Sequence, residues 1–469
     1  MVLMLSLYNS LSGHKALFAP LVPEQVGMYV CGPTVYDRIH LGNARCMLVF
    51  DMLYRVLQDI YPNVNYVRNI TDVDDKINAS AKAKGIPIGQ LTAQTTQWFH
   101  QDIGQLGLLA PTHEPRATEH IDAMIAMIAQ MVDEKTAYVS QGHVLFDVSE
   151  APYYGQLSKM PLEDMQVGAR VEPGSYKEDP LDFVLWKPAG ADEPGWYSPW
   201  GHGRPGWHIE CSAMSTHFLG DMTDIHGGGR DLMFPHHENE RAQTCACSGQ
   251  EECASWWMHT GMLVVGGQKM SKSLGNFITL HDALLQHPAP VLRWALLTSH
   301  YRQTLDWTDS LVTQARMSVD GLHGALVRAA QVTGLVYRAV DTAPDTVPGA
   351  SFDLRFWQAL CDDLNTPAAL NRLQQLTRAL HKNPADRDLA QRLYASAQGF
   401  GLLGPDLLAW FQCTDGLALS KEAIAELVAK RQAARAAKDF VGADAIRAQL
   451  LEHGIALEDS GAQTHWRVV

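Results

Sequence analysis

The chain has 469 residues, of which 46% are hydrophobic and 19% charged, a balance typical of a soluble globular protein; this length suffices for about three domains. The formal net charge of −14, from 51 acidic and 37 basic residues, argues against binding nucleic acid through a general basic excess, but not against binding one RNA through a local basic patch. No apolar stretch is long enough to span a bilayer, and the apolar residues 1–7 lack the features of a signal peptide, so we expect a cytoplasmic protein. The eight cysteines do not form a dense disulfide framework, and some are better interpreted as ligands or buried thiols.

The first predicted elements form a β-turn-α-β unit. Residues 27–31 predict a short buried strand, apolar residues recur with helical spacing from Met47 to Ile60, and residues 64–70 predict the next strand. The run His40-Leu41-Gly42-Asn43 therefore falls at the N-terminus of the first crossover helix. Backbone N–H groups and the helix dipole favour phosphate there, and Gly42 lets a nucleotide approach the backbone closely.

Further along the chain, four side chains are candidate zinc ligands: Cys31, Cys211, His236 and Glu240. The last two are four residues apart, so they share one helix face and can point at the same ion, and Pro235 fits the first turn of such a helix. Thiolate, imidazole and carboxylate are all accepted zinc ligands. Spacing alone leaves buried thiols and a surface His/Glu pair as alternatives, and His237 and Glu238 compete with their neighbours for the role.

A run of three glycines, residues 227–229, precedes the predicted His/Glu helix. Successive glycines allow close backbone approach to a ligand, whereas the alternative is a flexible loop. The place of this run between two ligand segments favours contact with an adenine or ribose, and Gly228 is the candidate residue.

The run Lys269-Met270-Ser271-Lys272-Ser273 follows a glycine pair at residues 266 and 267. Two ammonium groups in a loop hinged by glycine can close over a polyphosphate and neutralise charge as a phosphoryl bond breaks. A solvated Lys/Ser loop is the alternative. The His-Leu-Gly-Asn run far upstream favours the phosphate interpretation.

These two runs together resemble the two signatures of class I aminoacyl-tRNA synthetases. One position departs from the first signature, because Asn43 stands where the pattern has a second histidine. Asparagine can still donate a hydrogen bond to a phosphate or ribose oxygen, but it cannot carry positive charge.

Three longer segments, residues 29–37, 207–214 and 234–240, are similar to those of the cysteinyl-tRNA synthetase family, and the resemblance runs nearly end to end. It implies that Cys31, Cys211, His236 and Glu240 bind one zinc ion per chain. Zinc binds thiolate well and an alcohol poorly, so it would select cysteine over serine, which shape alone separates weakly. We therefore expect no editing domain.

The same resemblance implies the rest of the active site. The amino-acid pocket would be lined by Thr71, Trp207, His226 and Asp231, with Asp231 as the partner of the substrate ammonium; for Trp207 a plain core role is the alternative. ATP, bound with Mg²⁺, would contact Gly42, His40, Gly228 and Lys272. Positioning and charge stabilisation in the adenylation step would fall to His40, Asn43, Lys269 and Lys272.

The predicted fold class is α/β: a split Rossmann-type nucleotide-binding domain with an insertion, then a helical bundle and a small C-terminal anticodon-binding domain. The predicted boundaries are 1–118 and 206–255 for the two catalytic halves, 119–205 for the insertion, 256–312 for the region with the Lys-Met-Ser-Lys-Ser loop, 313–402 for the helical bundle and 403–469 for the C-terminal domain. In the insertion, residues 194–196 and 199–201 predict turns and loops.

The C-terminal region predicts a helix from Lys421 to Ala436 and a small strand pair near the end of the chain. By resemblance it reads the anticodon, and the candidate base contacts are Asp444, Arg447, Asp459 and Trp466. Unpaired RNA bases are read by stacking on aromatic rings and by hydrogen bonds to base edges. A solvated charged helix is the alternative, and Phe440 stands where many relatives carry tryptophan.

The resulting hypothesis is ATP-dependent ligation of L-cysteine to tRNA(Cys) through a cysteinyl adenylate, by a monomer without membrane association. A rival enzyme would pass cysteine to the amine of a small sugar conjugate, but it lacks the anticodon-reading region that this chain resembles. A non-catalytic tRNA-binding or zinc-binding relative is the third alternative. It is opposed by Lys269, Lys272 and the complete set of zinc-ligand candidates.

Overall fold

The computed structural model describes residues 4–160, 165, 175–190, 193–337, 352–404, 406–412, 418–460 and 463–468. Its helices are Leu41–Ile60 (α1), Asp75–Lys84 (α2), Ile88–Gln105 (α3), Ile121–Asp133 (α4), Trp207–Leu219 (α5), Glu238–Ser248 (α6), Leu280–Gln286 (α7), Ala289–Leu296 (α8), Asp309–Thr333 (α9), Leu354–Cys361 (α10), Thr366–Lys382 (α11), Arg387–Gly399 (α12), Lys421–Ala436 (α13) and Phe440–Glu452 (α14).

The strands are Ser6–Asn9 (β1), His14–Leu17 (β2), Gln25–Val30 (β3), Asn63–Arg68 (β4), Ala137–Ser140 (β5), His143–Phe146 (β6), Phe183–Pro188 (β7), Trp196–Ser198 (β8), Gly201–Pro205 (β9), Thr223–Gly229 (β10), Ala254–Thr260 (β11), Leu263–Val265 (β12), Gln268–Lys269 (β13), Leu305–Trp307 (β14), Ile455–Ser460 (β15) and Gln463–Val468 (β16). The chain divides into two compact units, one of residues 1–313 and 357–369 and the other of residues 314–356 and 370–469.

A four-stranded parallel sheet in the order β11-β10-β3-β4 forms the centre of the first unit. The strands β3 and β4 precede the insertion in the chain, whereas β10 and β11 follow it, so the predicted split Rossmann-type fold is confirmed. Buried strands of a parallel sheet are covered on both faces, which explains why Tyr29, Val67, Ile225 and Trp257 are all almost fully buried.

The three-glycine run belongs to the central strand β10, so the alternative of a flexible loop is wrong. A Cβ atom on Gly227 would lie 2.3 Å from the ring of Phe50 on α1, and one on Gly228 would lie 2.9 Å from the ring of His237. The first glycine therefore lets α1 approach the sheet closely, and the second makes room for a histidine of the site.

The insertion contains α4 and a five-stranded antiparallel sheet in the order β5-β6-β7-β9-β8. Residues 199 and 200 form the turn between β8 and β9, as predicted. Trp196, which the sequence placed in a loop, is the first residue of β8. The prolines and glycines marked the chain reversals correctly, but the short strands between them were missed.

In the second unit, the predicted helical region is confirmed by α11 and α12. The predicted C-terminal elements are also present, because α13 has the expected bounds and β15 pairs antiparallel with β16. These elements share a small apolar core made of Ile424, Val428, Leu450, Ile455 and Leu457. Across the described ranges, none of the helices has both the length and the apolar character that crossing a membrane requires.

Candidate active site and metal centre

The start of α1 is fixed by a reciprocal cap between two signature residues. His40 is the N-cap, and its Nδ1 accepts a hydrogen bond from the backbone N–H of Asn43 at 3.2 Å. The Oδ1 of Asn43 accepts the backbone N–H of His40 at 3.3 Å. Burial lowers the pKa of His40, partly offset by the charge of Asp231, which favours the neutral ring that this acceptor role needs. Because Oδ1 of Asn43 is used in the cap, its Nδ2 group is the one that would contact a ligand.

The Lys-Met-Ser-Lys-Ser run lies on a hairpin formed by β12 and β13. The turn consists of Gly266 and Gly267, whose φ angles of 58° and 76° match the twist of a two-residue hairpin. Lys269 ends β13, and Lys272 begins a single 3₁₀ turn that Ser271 caps through a hydrogen bond to the N–H of Leu274 at 3.2 Å. Both lysines are exposed, so they can reach a bound ligand.

The two signature motifs meet in the structure. The ammonium of Lys272 forms an ion pair with Asp37 at 2.6 Å, three residues before His40. The ring of Phe277 lies between the motifs, 5.3 Å from the Lys272 ammonium and 5.4 Å from the ring of His40. A Cβ atom on Gly42 would lie 3.5 Å from the end of Met270. The structure therefore brings the two runs close together.

The four predicted ligands converge on one point. Ligand atoms of Cys31, Cys211, His236 and Glu240 all lie within 4.8 Å of one another, and all four residues are buried. The Oε1 of Glu240 is 3.0 Å from the Nε2 of His236 and 3.3 Å from the Sγ of Cys31. Two sulfurs, one nitrogen and one carboxylate oxygen are a donor set that zinc accepts, and both Glu240 distances are below the separation of about 4 Å that zinc–ligand bonds of about 2.0–2.3 Å give in a tetrahedral site.

The electrostatics of this cluster favour the charged forms of Cys211 and Glu240, although both side chains are buried. Burial opposes the thiolate of Cys211, yet hydrogen bonds from Cys31 and His236 outweigh it and lower its pKa to about 6. Burial likewise opposes the carboxylate of Glu240, but the charges of His236 and His226 hold its pKa well below the usual range. Burial and the Cys211 contact raise the pKa of Cys31. This set of donors could hold a metal ion.

The helix that presents Glu240 begins later than the sequence suggested. Pro235, predicted in the first turn of that helix, lies in a wide turn of residues 233–237 with a cis peptide bond after Phe234, and α6 starts at Glu238. His236 is therefore carried by the turn and Glu240 by the helix, and the predicted pairing at a spacing of four is preserved.

A second set of histidines, buried except for the partly buried His208, surrounds the four candidate ligands, and sequence reasoning missed most of it. The Nδ1 of His236 lies 2.9 Å from that of His208, and His237 lies 2.8 Å from His259, whose other ring nitrogen is 2.8 Å from Ser10. A partner on the second ring nitrogen orients a ligating imidazole, so His208 would hold His236 in place. His237 also belongs to an overlapping cluster with Cys31, His226 and Glu240, so it stays an alternative ligand.

Two of the four residues predicted for the amino-acid pocket, His226 and Trp207, contact the cluster, and a third, Thr71, contacts Asn69. His226 is 3.1 Å from Glu240 and 3.7 Å from Cys31. The ring of Trp207 stacks on His236 at 4.2 Å and remains 36% exposed, so a plain core role for this residue is wrong. Thr71 is buried and accepts a hydrogen bond from Asn69 at 3.2 Å.

The fourth pocket residue, Asp231, is exposed in a short turn after β10, and its charge acts on His40. The buried carboxyl of Glu210 has a pKa well above the usual value, because burial and then the charge of Cys211 raise it while Thr71 acts to lower it. Its position directly before Cys211 was the only sequence signal that could have indicated it.

The candidate anticodon contacts divide into two groups. Asp444 and Arg447 are exposed on α14. Asp459 instead forms a bidentate ion pair with Arg431 at 2.8 Å, and the ring of Trp466 packs against the apolar core of the C-terminal elements. Asp459 and Trp466 therefore stabilise the fold of this region, independent of any contact with RNA.

Comparison with known proteins agrees with this geometry. The family model for the class I (C) tRNA synthetase catalytic domain matches residues 17–317, the DALR domain matches residues 355–404, and the cysteinyl-tRNA ligase anticodon-binding domain matches residues 420–467. Among solved structures, a methionyl-tRNA synthetase from Mycobacterium tuberculosis in complex with methionyl-adenylate has 14% identity and a TM-score of 0.56, covering 83% of this chain and 91% of its own. The LeuRS of a ternary complex from Agrobacterium radiobacter has 12% identity and a TM-score of 0.58, covering 83% and 85%.

The fold and the paired signature motifs define a class I aminoacyl-tRNA synthetase. Curated relatives named cysteine–tRNA ligase are similar over almost the whole chain. Those of Paramagnetospirillum magneticum and Rhodospirillum rubrum are 51% and 50% identical, each with 99% of both chains covered. That of Gluconobacter oxydans is 50% identical over 99% of this chain and 98% of its own. The chain belongs to the cysteine–tRNA ligase family.

Proposed function

We propose that this chain, as a cytoplasmic monomer, ligates L-cysteine to tRNA(Cys) in two steps, of which the first consumes ATP. The cysteine carboxylate attacks the α-phosphate of ATP and pyrophosphate leaves; a hydroxyl of the terminal ribose of the tRNA then attacks the carbonyl carbon of the cysteinyl adenylate and AMP leaves. The observation that carries the proposal is the buried Cys/Cys/His/Glu cluster, whose Cys31 directly follows β3 and donates its backbone N–H to Gly227 near the carboxyl end of β10. Ligands bind at that edge of parallel sheets.

Cysteine selection would rest on Cys31, Cys211, His236 and Glu240 as the holders of one zinc ion. When bound, zinc supplies a preference for thiolate over hydroxyl, which separates cysteine from serine. The surrounding side chains would fix the rest of the amino acid. Trp207 and His226 would close the pocket around the side chain, Thr71 would add a hydroxyl contact, and the carboxylate of Asp231 would bind the substrate ammonium.

Nucleotide binding would use the cap of α1 and the hairpin. The backbone at Gly42 and Gly228, with His40, would hold the nucleotide, and the Nδ2 of Asn43 would donate to a phosphate or ribose oxygen. Lys269 and Lys272 would neutralise charge on the phosphates together with Mg²⁺. The Asp37 ion pair of Lys272 is largely exposed, and exposed pairs are worth only about 0–1 kcal/mol, so a phosphate can displace it.

RNA recognition would involve the C-terminal elements, with Asp444 and Arg447 as exposed contacts and Asp459 and Trp466 shaping the surface. The matching anticodon-binding domain at residues 420–467 favours tRNA as the acceptor over a small sugar amine.

The test is transfer of labelled cysteine to tRNA(Cys) by the full chain with ATP and Mg²⁺, run beside cysteine-dependent exchange of pyrophosphate into ATP. Exchange together with charging supports the proposal. Exchange without charging would identify a small-molecule acceptor instead. Loss of both in a folded, zinc-loaded preparation would favour a non-catalytic relative.

A further inference from the structure

The guanidinium of Arg45 connects α1 to the base of the signature hairpin. The residue is 1% exposed and lies one turn into the helix that begins after His40. Its Nη1 donates to the carbonyl of Gly261 at 2.9 Å and to that of Met262 at 3.1 Å. These two residues directly precede β12, whose far end turns into the Lys-Met-Ser-Lys-Ser segment.

The other terminal nitrogen of the same guanidinium donates hydrogen bonds to a second chain segment. Its Nη2 donates to the Oγ of Ser299 at 2.9 Å and to the carbonyl of His300 at 3.1 Å. This segment leads into β14, which pairs in parallel with β12. Arg45 therefore contacts both chain segments that support the hairpin.

The two segments are also hydrogen-bonded to each other and closely packed. The backbone N–H of Gly261 donates to the carbonyl of Tyr301 at 2.7 Å, and a Cβ atom at Gly261 would lie 2.3 Å from the carbonyl of Gln303. Any displacement of one segment relative to α1 therefore displaces the other, and with them the hairpin.

The far side of the second segment is held by Asp363, from the Asp-Leu-Asn-Thr-Pro run at residues 363–367. Its carboxylate accepts hydrogen bonds from the hydroxyl of Tyr301 at 2.7 Å, the Nε of Arg302 at 3.0 Å and the backbone N–H of Tyr8 at 2.9 Å. The segment 299–302 is thus fixed between Asp363 on one side and Arg45 on the other.

The charge of Arg45 has no carboxylate partner at ion-pair distance in the parts of the chain that the structure describes; its two Nη groups donate to four neutral oxygens, and its buried Nε has no hydrogen-bond partner among the described residues. A hydrophobic side chain of similar volume is often at least as stabilising as a buried charge. What a hydrophobic side chain cannot provide is the planar fork that holds several carbonyls in a fixed geometry. Arg45 is therefore better suited to holding these chain segments in a fixed geometry than to stabilising the fold.

We propose that Arg45 is a positioning residue, which sets the hairpin lysines at the right distance from the cap of α1 for the adenylation step. This inference rests on the proposed function, since that step is where both motifs act. Arg45 reaches the reacting groups only through the segments that it holds. A misplacement of about 1 Å by a change far from the chemistry can lower a rate by about 10²-fold.

The test compares Arg45→Lys with Arg293→Lys in the full chain. Arg293 is the matched control, because it is also fully buried and donates to the carbonyls of Leu106 and Gly107 and to Asp51. For Arg45→Lys we expect kcat of pyrophosphate exchange to fall by about 10²-fold, with KM for cysteine and zinc content unchanged. Trypsin should also cut faster after the exposed Lys269 and Lys272, and ATP should protect these sites less.

The control should keep the exchange kcat and the hairpin cleavage rate of the wild type, even where its melting temperature falls. If Arg45→Lys resembles wild type in both readouts, or if both variants change in proportion to their loss of thermal stability, the proposal is wrong. Arg45→Gln, which keeps two donors without charge, replaces the lysine variant if that one does not fold. Absence of exchange in the wild type would refute the proposed function, while the trypsin comparison would still decide on Arg45.

Discussion

Replacing Cys211 with serine is the sharpest test of the metal centre. Cys211 is 1% exposed and supplies one of the four clustered ligand atoms. Structural zinc sites with four ligands bind with about 10–16 kcal/mol, so one ligand accounts for roughly 3 kcal/mol if the four share it evenly. Because 1.4 kcal/mol is a factor of ten, Cys211→Ser should weaken zinc binding by about 10²-fold.

Amino-acid selectivity should fall in the same variant. Without an ion that prefers thiolate, the pocket separates sulfur from oxygen mainly by shape and weak polar contacts, which gives about 10–200-fold discrimination. Zinc per chain is measured by elemental analysis after dialysis, and selectivity as the ratio of kcat/KM for cysteine and serine in pyrophosphate exchange. The ratio should drop to about 10² or below.

The matched control is Cys245→Ser. Cys245 is also buried, at 2% exposed, and lies on α6 five residues after Glu240, outside the ligand cluster. It should keep its zinc and its selectivity. The zinc hypothesis would be refuted by a Cys211→Ser protein that retains one zinc ion and rejects serine as well as wild type does.

Three further changes separate catalysis, stability and RNA recognition. Lys272→Met should lower pyrophosphate exchange by about 10²–10³-fold without changing the melting temperature, because its ion pair is exposed and its role is charge stabilisation. Asp51→Asn should lower the free energy of unfolding by about 3–5 kcal/mol in urea titrations, since it removes the carboxylate charge that lies 2.9 Å from the buried guanidinium of Arg293. Although burial opposes its charge, Arg293 and Arg55 lower the pKa of Asp51, so its contribution is present above the unfolded pKa and is lost as pH falls through the folded one. Arg447→Ala should reduce kcat/KM for tRNA by the equivalent of about 1–3 kcal/mol while leaving exchange intact.

Each of these predictions has a contrary outcome. Exchange at the wild-type rate in Lys272→Met would remove this lysine from the adenylation step. Equal stability of Asp51→Asn and wild type at neutral pH, or a wild-type stability that does not decline on acidification, would contradict the account of the buried pair. Unchanged charging by Arg447→Ala would place RNA contacts elsewhere on the C-terminal elements.

The ligand cluster shows how much of the site could be predicted from the sequence. Spacing alone could pair His236 with Glu240, because residues four apart share a helix face, but it could not bring Cys31 to Cys211 across the insertion. The resemblance to a family supplied that link, and the structure brings the four side chains together. What no local pattern could indicate was the surrounding set, such as His208 and His259, since those contacts depend on how distant elements pack.

The insertion and the base of the hairpin contain features that could not be predicted from the sequence. Short strands such as β8, with three residues, carry too little alternation to be recognised, whereas the proline and glycine turns between strands have local signals. No sequence pattern singled out Arg45, because nothing in the sequence separates a buried guanidinium from an exposed one. Its role follows only from the carbonyls at residues 261, 262 and 300 that the fold collects around it.

The wide separation of the ligands along the chain bears on how the protein is made. Cys31 and Glu240 are 209 residues apart, which a ribosome working at about 5–20 residues per second takes about 10–40 s to translate. Until β10 is made, late in that interval, β3 can pair with β4 but has no neighbour on its other side, so one edge of the nascent sheet stays open and the Cys31 thiol stays unshielded. Capture of a metal by all four side chains would coincide with closure of that edge, making metal content a late marker of a correctly finished catalytic domain.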